Sequence, residues 1–283
     1  MFRFLPTTIN HFILLIGLTL MIVPVWIIFA SSTHTSLFIN TNGLQFFLGD
    51  SFKENYSSVL FKKAGFFQEI TALKMFFNSF VMAMGIATLS VVTSLMAAYG
   101  LVYFKIKYAT FIFWLIFVTL LVPLELRVMP TYVVMSKLNL LNSFAGLIVP
   151  ISASAIATFF FRQFYKSIPE ELLEAAKLDG TNSWKFFIDF LIPLSKTMIA
   201  AVFIFMFVYG YNQYLWPLIM TTDEKYWTVV MGMKIIFTEN YEGVALPRTG
   251  ERFAYIILSM LPPVLVVVIL QRWFIKGLIQ TEK

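Results

Sequence analysis

Six stretches of mostly apolar residues, at 12–30, 76–104, 111–134, 144–164, 198–220 and 253–274, set the terms for any fold of this chain. A helix crosses a bilayer with about 20 largely apolar residues, and all six stretches meet that length. Inside lipid a chain must satisfy its own backbone groups, so stretches of this kind are helical. The composition agrees. Of 283 residues, 59% are hydrophobic and only 13% charged, with a mean hydropathy of +0.80. A soluble domain carries about 25% charged residues, and so few charges cannot cover a soluble surface. The expected fold is an all-α integral membrane protein with six transmembrane helices. Without an internal repeat, low-complexity tract or flexible linker, it reads as one domain over residues 1–283.

Two stretches need comment. The first is too long for a signal peptide and lacks a small-residue cleavage site, so it is expected to be a retained span. The third is interrupted by Glu125 and Arg127 and flanked by Pro123 and Pro130. It is expected to reach the membrane surface near Glu125 and bend there.

Short basic loops give the orientation. Lys105 and Lys107 lie between the second and third stretches with no acid nearby. Arg3 precedes the first stretch, and Arg272 and Lys276 follow the sixth. With six crossings these segments all fall on one side, which the positive-inside rule makes cytoplasmic. Both termini are then expected in the cytoplasm, with residues 31–74, 137–142 and 221–252 outside. Residues 165–196 form the only large cytoplasmic loop. The net charge of +6 reads as cytoplasmic lysine and arginine and gives no sign of nucleic-acid binding.

The same residues exclude several chemistries. The absence of cysteine rules out disulfides, iron–sulfur centres and thiolate catalysis. His11 and His34 are too far apart in sequence to suggest a metal cluster, so neither a metal site nor a catalytic residue is expected. No G-x-x-x-x-G-K-[ST] phosphate loop occurs in the chain.

The cytoplasmic loop, "YKSIPEELLEAAKLDGTNSWKFFIDFLIPLSK", is heavily punctuated. Ser167 and Glu170 have capping-box spacing, and Pro169 suits a first turn. Glu170, Glu171 and Glu174 lie near the positive end of the helix dipole and Lys177 near the negative end. Gly180 fits the position just past a helix end, where left-handed backbone is needed. These signals predict a helix from about residue 168 to 178. A second, aromatic piece follows (Trp184, Phe186, Phe187, Ile188, Phe190), and Pro193 breaks the chain before the fifth stretch. The loop thus reads as helix, tight turn, helix along the membrane surface. Such a first helix either rests on lipid headgroups or docks into a partner. Its apolar stripe, Ile168, Leu172, Leu173 and Ala176, is thin for anchoring, and its acids would be repelled by anionic lipid.

Glu174-Ala175-Ala176 followed by Gly180 resembles the signature cytoplasmic loop of bacterial ABC importer permeases. The distal element of that signature appears here as Ile192-Pro193-Leu194, in slightly altered order. "YNQYLWPL" at 211–218 and "LPPVLVVVILQRWFIKGL" at 261–278 are similar to the carbohydrate, maltose-permease-like class, with Tyr211 where tryptophan is frequent. "LVPLELRVMPTYVV", "SASAIATFFFRQF" and "LIPLSKT" look like the branch that imports glycerol-3-phosphate.

The resemblance implies a multi-pass protein of the bacterial cytoplasmic (inner) membrane. Its implied partners are a second permease subunit in a heterodimer, an ATPase subunit dimer, an extracytoplasmic substrate-binding protein and membrane lipid, with no nucleic acid. ATP and Mg would sit on the ATPase subunits, and this chain would bind no cofactor. The loop would be a coupling helix seated in an ATPase groove. Glu174 would make a charge-assisted contact, Ala175 and Ala176 would pack closely, and Gly180 would make the turn. Asp179, Ile192 and Pro193 complete that set. The outer segment "ENYEGVALPRTGER" would approach the binding protein. The implied cargo is sn-glycerol-3-phosphate or related glycerophosphodiesters. A neutral sugar or oligosaccharide is the alternative cargo, and ion-coupled secondary transport is a remoter one.

Polar residues at membrane depth are candidates for the translocation path, although they often serve as helix glue. Asn78, Glu125, Arg127, Asn212 and Gln213 are the candidates here. A cation such as Arg127 suits an anionic phosphate ester. Glu125 and Arg127, two residues apart, cannot share a helical face. Ser152, Ala153, Ser154, Ala155 and Ala157 read as a small-residue packing face.

Overall fold

The computed structural model describes residues 7–61, 70–238 and 248–280. Among them every regular element is helical. The helices are α1 (Thr7–Ser31), α2 (Ser36–Asn42), α3 (Phe52–Phe61), α4 (Ala72–Tyr103), α5 (Ala109–Val118), α6 (Leu124–Lys137), α7 (Phe144–Ser152) and α8 (Ala155–Lys166). They continue with α9 (Glu170–Leu178), α10 (Ser183–Leu194), α11 (Lys196–Tyr211), α12 (Leu215–Met220), α13 (Val229–Thr238) and α14 (Thr249–Gln280). The middle of α10, Phe186–Leu191, is wound as a π-helix.

The chain divides into two compact units, residues 1–74 with 232–261 and residues 75–231 with 262–283. The last boundary falls between Leu261 and the Pro262–Pro263 pair inside α14. In the first unit, the turn after α1 is fixed by hydroxyls and an amide. Thr33 Oγ1 accepts from Gly49 N at 2.7 Å, and the buried Asn55 Nδ2 donates to the carbonyls of Ser32 and His34, each at 2.8 Å. Ser58 Oγ donates to Glu251 Oε1 at 2.7 Å. Apolar residues of α1 such as Leu20 and Met21 stay exposed, as a lipid-facing helix requires.

The second unit is built on α4, 32 residues and about 48 Å long. It buries a residue at every third or fourth position, among them Met75, Asn78, Met82, Ile86, Ser90, Ser94 and Ala98. That period makes one continuous stripe. Small residues let neighbouring backbones approach it. A Cβ added at Gly210 would lie 3.1 Å from Ile86 Cδ1 and 3.2 Å from Ala83 Cα. In lipid, where apolar burial drives little association, such close packing is what holds helices together.

Several of the expected spans are broken. Ala109–Leu121 and Leu124–Lys137 meet at 102° and Phe144–Ser152 and Ala155–Lys166 at 45°, while the 74° bend between Ser183–Leu194 and Lys196–Tyr211 lies just before the fifth stretch. Three helices among the described residues are long and apolar enough to cross a membrane alone, or up to six if each bent pair is one span. The bend expected near Glu125 is present: a 3-10 turn at Thr119–Leu121 leads to Pro123, whose extended backbone (ψ 147°) begins α6. The fifth stretch differs from expectation. Its helix stops at Tyr211, Asn212 to Tyr214 leave the helix, and Leu215–Met220 forms a separate short helix. The fourth is likewise interrupted at Ala153 and Ser154, where ψ is 86° and 109°.

Candidate functional site

Two features of the second unit hold most of the candidate residues. The first is the loop at residues 165–196. Its helix α9 starts at Glu170, and Pro169 at its N-terminus makes no side-chain cap. The expected capping box is not formed. Ser167 instead ends the preceding helix, and its hydroxyl donates to Phe164 O at 2.7 Å. That hydroxyl is spent before α9 begins.

The other end closes as the sequence predicts. Thr181 N donates to Ala176 O and Gly180 N to Lys177 O, both at 3.0 Å. This is the paired bonding of a Schellman turn, and Gly180 holds the left-handed φ of 70° that it needs. Asn182 Oδ1 then accepts from Lys185 N at 2.8 Å and caps α10. The two helices are thus joined by a turn in which side chain and backbone are both committed.

The loop is seated on the C-terminal end of α4. Tyr99 Oη donates to Ser183 O at 2.7 Å. The Tyr99 and Phe187 rings lie 5.0 Å apart, and those of Tyr103 and Phe186 5.5 Å. Leu173, Ala176 and Thr181 line the same small cavity, of about 90 Å³, as Tyr99, Tyr103 and Phe186. Ala176 is 4% exposed, so it packs within the chain. The open face of α9 consists of Glu170, Glu171, Glu174, Ala175, Lys177, Leu178, Asp179 and Gly180. Leu178 is 89% exposed, an apolar knob among charged neighbours. Sequence reasoning passed over it. A leucine at the end of a polar helix, directly before Asp-Gly, was the available signal. Ile192 is half-buried and Pro193 exposed, one turn before the 74° bend at Ser195. There the Ser195 hydroxyl donates back to Leu191 O at 2.6 Å.

The second feature is a cavity of about 260 Å³ lined by Thr119, Leu124, Arg127, Ala153, Tyr209 and Trp216, among others. It lies where the chain leaves helical geometry after α5 and α7. The second of these breaks is held open by hydroxyls. Ser94 Oγ donates to Ser154 O at 3.2 Å, and Thr158 Oγ1 donates to Ser94 Oγ at 3.2 Å. Ser154 Oγ accepts from Ala157 N at 3.2 Å and caps α8. Ser152 and Ser154 therefore do meet α4 through their carbonyls, but this run also ends one helix and starts another. Trp216 Nε1 donates to Leu147 O at 3.1 Å and fixes the far wall.

Of the five polar candidates, Arg127 lines this cavity. Glu125 is exposed on the first turn of α6, and neither it nor Arg127 forms an ion pair among the described residues. Asn78 is fully buried and donates to Lys225 O at 2.7 Å and Trp227 O at 2.9 Å, clasping the segment before α13 to α4. Asn212 is the C-cap residue of α11, and Gln213 Nε2 donates to Tyr209 O at 3.2 Å. Both stand at the break after α11 without lining the cavity. Arg162, not singled out from the sequence, is 7% exposed, with its guanidinium carbon 3.9 Å from the centre of the Phe113 ring. Of "ENYEGVALPRTGER", residues 239–247 lie outside the described residues, as does Arg3. The side chains of Arg272 and Lys276 lie outside them too.

Comparison with known proteins extends this picture. Residues 90–280, which hold both the loop and the cavity, match the family described as the binding-protein-dependent transport system inner membrane component. The chain is 41% identical over 275 residues to the sn-glycerol-3-phosphate transport system permease protein UgpE of Brucella melitensis, covering 97% of this chain and 96% of the relative. The protein of that name from Agrobacterium fabrum is 40% identical, with 99% of each chain covered. The one from Yersinia enterocolitica is also 40% identical, with 96% of each covered. The fold is that of a chain from the crystal structure of a bacterial ABC transporter involved in the import of the acidic polysaccharide alginate. The TM-score is 0.76 at 22% identity, over 96% of this chain and all of the other.

Proposed function

The chain belongs to the family of binding-protein-dependent transport system inner membrane components, and we propose that it forms half of the translocation path of an ABC importer for sn-glycerol-3-phosphate or related glycerophosphodiesters. It is a multi-pass protein of the bacterial inner membrane. In this reading the chain crosses six times, with α11 and α12 forming the fifth crossing after the loop ends at the 74° bend, and both termini lie in the cytoplasm. A second permease subunit completes the path, and an extracytoplasmic binding protein delivers the cargo. Two ATPase subunits bind ATP and Mg and hydrolyse the nucleotide, so this chain is a non-catalytic transport subunit.

The observation that carries the reading is the double-sided loop. One side of α9 is packed by Ala176 and Leu173 against the aromatic end of α4. The other presents Glu174, Ala175, Leu178 and Asp179 to whatever lies beneath. A helix held this way moves as a unit with α4, so a push on its outer face reaches a long helix of the second unit. Glu174 and Asp179 offer charge-assisted contacts, and Leu178 and Ala175 an apolar contact of low relief. Gly180 sets the turn, and Ile192 and Pro193 set the bend into α11.

The test is uptake of radiolabelled sn-glycerol-3-phosphate into proteoliposomes holding all four kinds of subunit. Uptake that requires ATP and survives ionophores supports the reading. Uptake that needs no ATP and collapses with an ionophore overturns it in favour of ion coupling.

A further inference from the structure

We infer that the 260 Å³ cavity is a waypoint for the anionic end of the cargo, with the Arg127 guanidinium as its anchor. This rests on the importer reading above. The cavity opens where the helices after α5 and α7 break, so its walls include the irregular backbone of Ala153 and Ser154. In a membrane protein, irregular backbone at depth is tolerated where it lines a cavity. The lining is largely apolar: Leu120, Leu124, Ala153, Ile156, Met206 and Trp216. Among the described residues that line it, Arg127 alone carries a formal charge.

Arg127 is itself exposed, so its guanidinium is accessible to a ligand, and at membrane depth an arginine is costly unless something answers its charge. No carboxylate does so among the described residues. Glu125, on the same helix, does not line the cavity. A guanidinium offers a fork of donors that fits two oxygens of a phosphate at once. The first turn of α8, Ala155 and Ile156, lies on the same wall, and the positive end of that helix adds to the guanidinium's field. Thr131 and Tyr209 put hydroxyl-bearing side chains on the lining, suited to the hydroxyls of a small polyol phosphate. At 260 Å³ the space falls just below the usual range for drug-sized ligands, about 300–1,000 Å³. It suits a small phosphate monoester.

The chain has no cysteine, so a thiol introduced at Thr131→Cys is unique on this subunit. In the assembled complex, with the other subunits also free of cysteine, sn-glycerol-3-phosphate should slow maleimide labelling of that thiol, and glycerol should not. Adding Arg127→Gln should abolish the protection. Arg127→Lys should retain part of it, since a cation remains. In uptake assays, Arg127→Gln should raise the KM about tenfold or more, the scale of one lost charge-assisted contact. Labelling that ignores the ligand, or protection that survives Arg127→Gln, overturns the inference. Wild-type uptake of sn-glycerol-3-phosphate is measured alongside. If it is present while protection is absent, the inference fails alone. If ATP-dependent uptake is itself absent, the importer reading fails as well.

Discussion

Replacing Gly180 tests whether the turn under α9 transmits force. Its φ of 70° is left-handed, a region that costs an L-residue about 1–2 kcal/mol. A Cβ built at Gly180 meets nothing within 4 Å, so in this subunit the strain is wholly backbone. At 298 K that cost shifts closure of the Schellman turn by a factor of about 5–30. The shift matters because α9 has nine residues, below the roughly 12–15 at which an isolated helix becomes even marginal. Asparagine tolerates left-handed backbone far better than alanine, although it is larger. Coupling, read as cargo moved per ATP hydrolysed in proteoliposomes, should therefore rank wild type, Gly180→Asn, Gly180→Ala, Gly180→Leu in falling order. Amide exchange at residues 176–181 should speed up in the reverse order. If Gly180→Ala couples better than Gly180→Asn, space against the partner matters and the backbone argument is wrong. If Gly180→Leu assembles and couples like wild type, the turn has no role in coupling.

The two alanines should part company: Ala176→Leu overfills a buried seat and should cost about 1–3 kcal/mol of stability, seen as a lower Tm in detergent. Ala175→Leu, on the exposed face, should leave Tm alone and weaken co-purification of the ATPase subunits. Asn78→Ala removes two buried hydrogen bonds and leaves two carbonyls without that donor, so it should cost about 1–3 kcal/mol and speed proteolysis near residue 225. Gly146→Ala would press a methyl onto the carbonyl of Leu140, which is backbone and cannot swing aside, so it should lower Tm as well.

Much of this architecture was legible because single residues dictate it. Gly180 and the Glu-to-Lys polarity of α9 announced a helix ending in a left-handed turn, and Pro123 announced the sharp bend before α6. What the sequence hid was competition for the same groups. Ser167 had capping-box spacing with Glu170, yet its hydroxyl was already taken by the end of α8. The run at 152–157 has the small side chains of a packing face. Only the hydroxyls of Ser94 and Thr158, from elsewhere in the chain or one turn on, show that it is also a helix break. Hydropathy cannot register such a break, since every residue in it is small and tolerated in lipid. Asn78 looked like a path residue because it is polar at depth, but its Nδ2 donors are spent on the carbonyls of residues 225 and 227. Leu178 was invisible to periodicity, because one exposed leucine makes no stripe.

The central claim is that the loop between α8 and α11 faces the cytoplasm and is gripped there by the ATPase. Leu178→Cys places a single thiol on this subunit, at the most exposed leucine among the described residues. The account predicts that a membrane-impermeant maleimide labels it in inside-out vesicles and not in intact cells, and that bound ATPase subunits block the reaction. Labelling from the outside, or labelling that ATPase subunits leave unchanged, would contradict it.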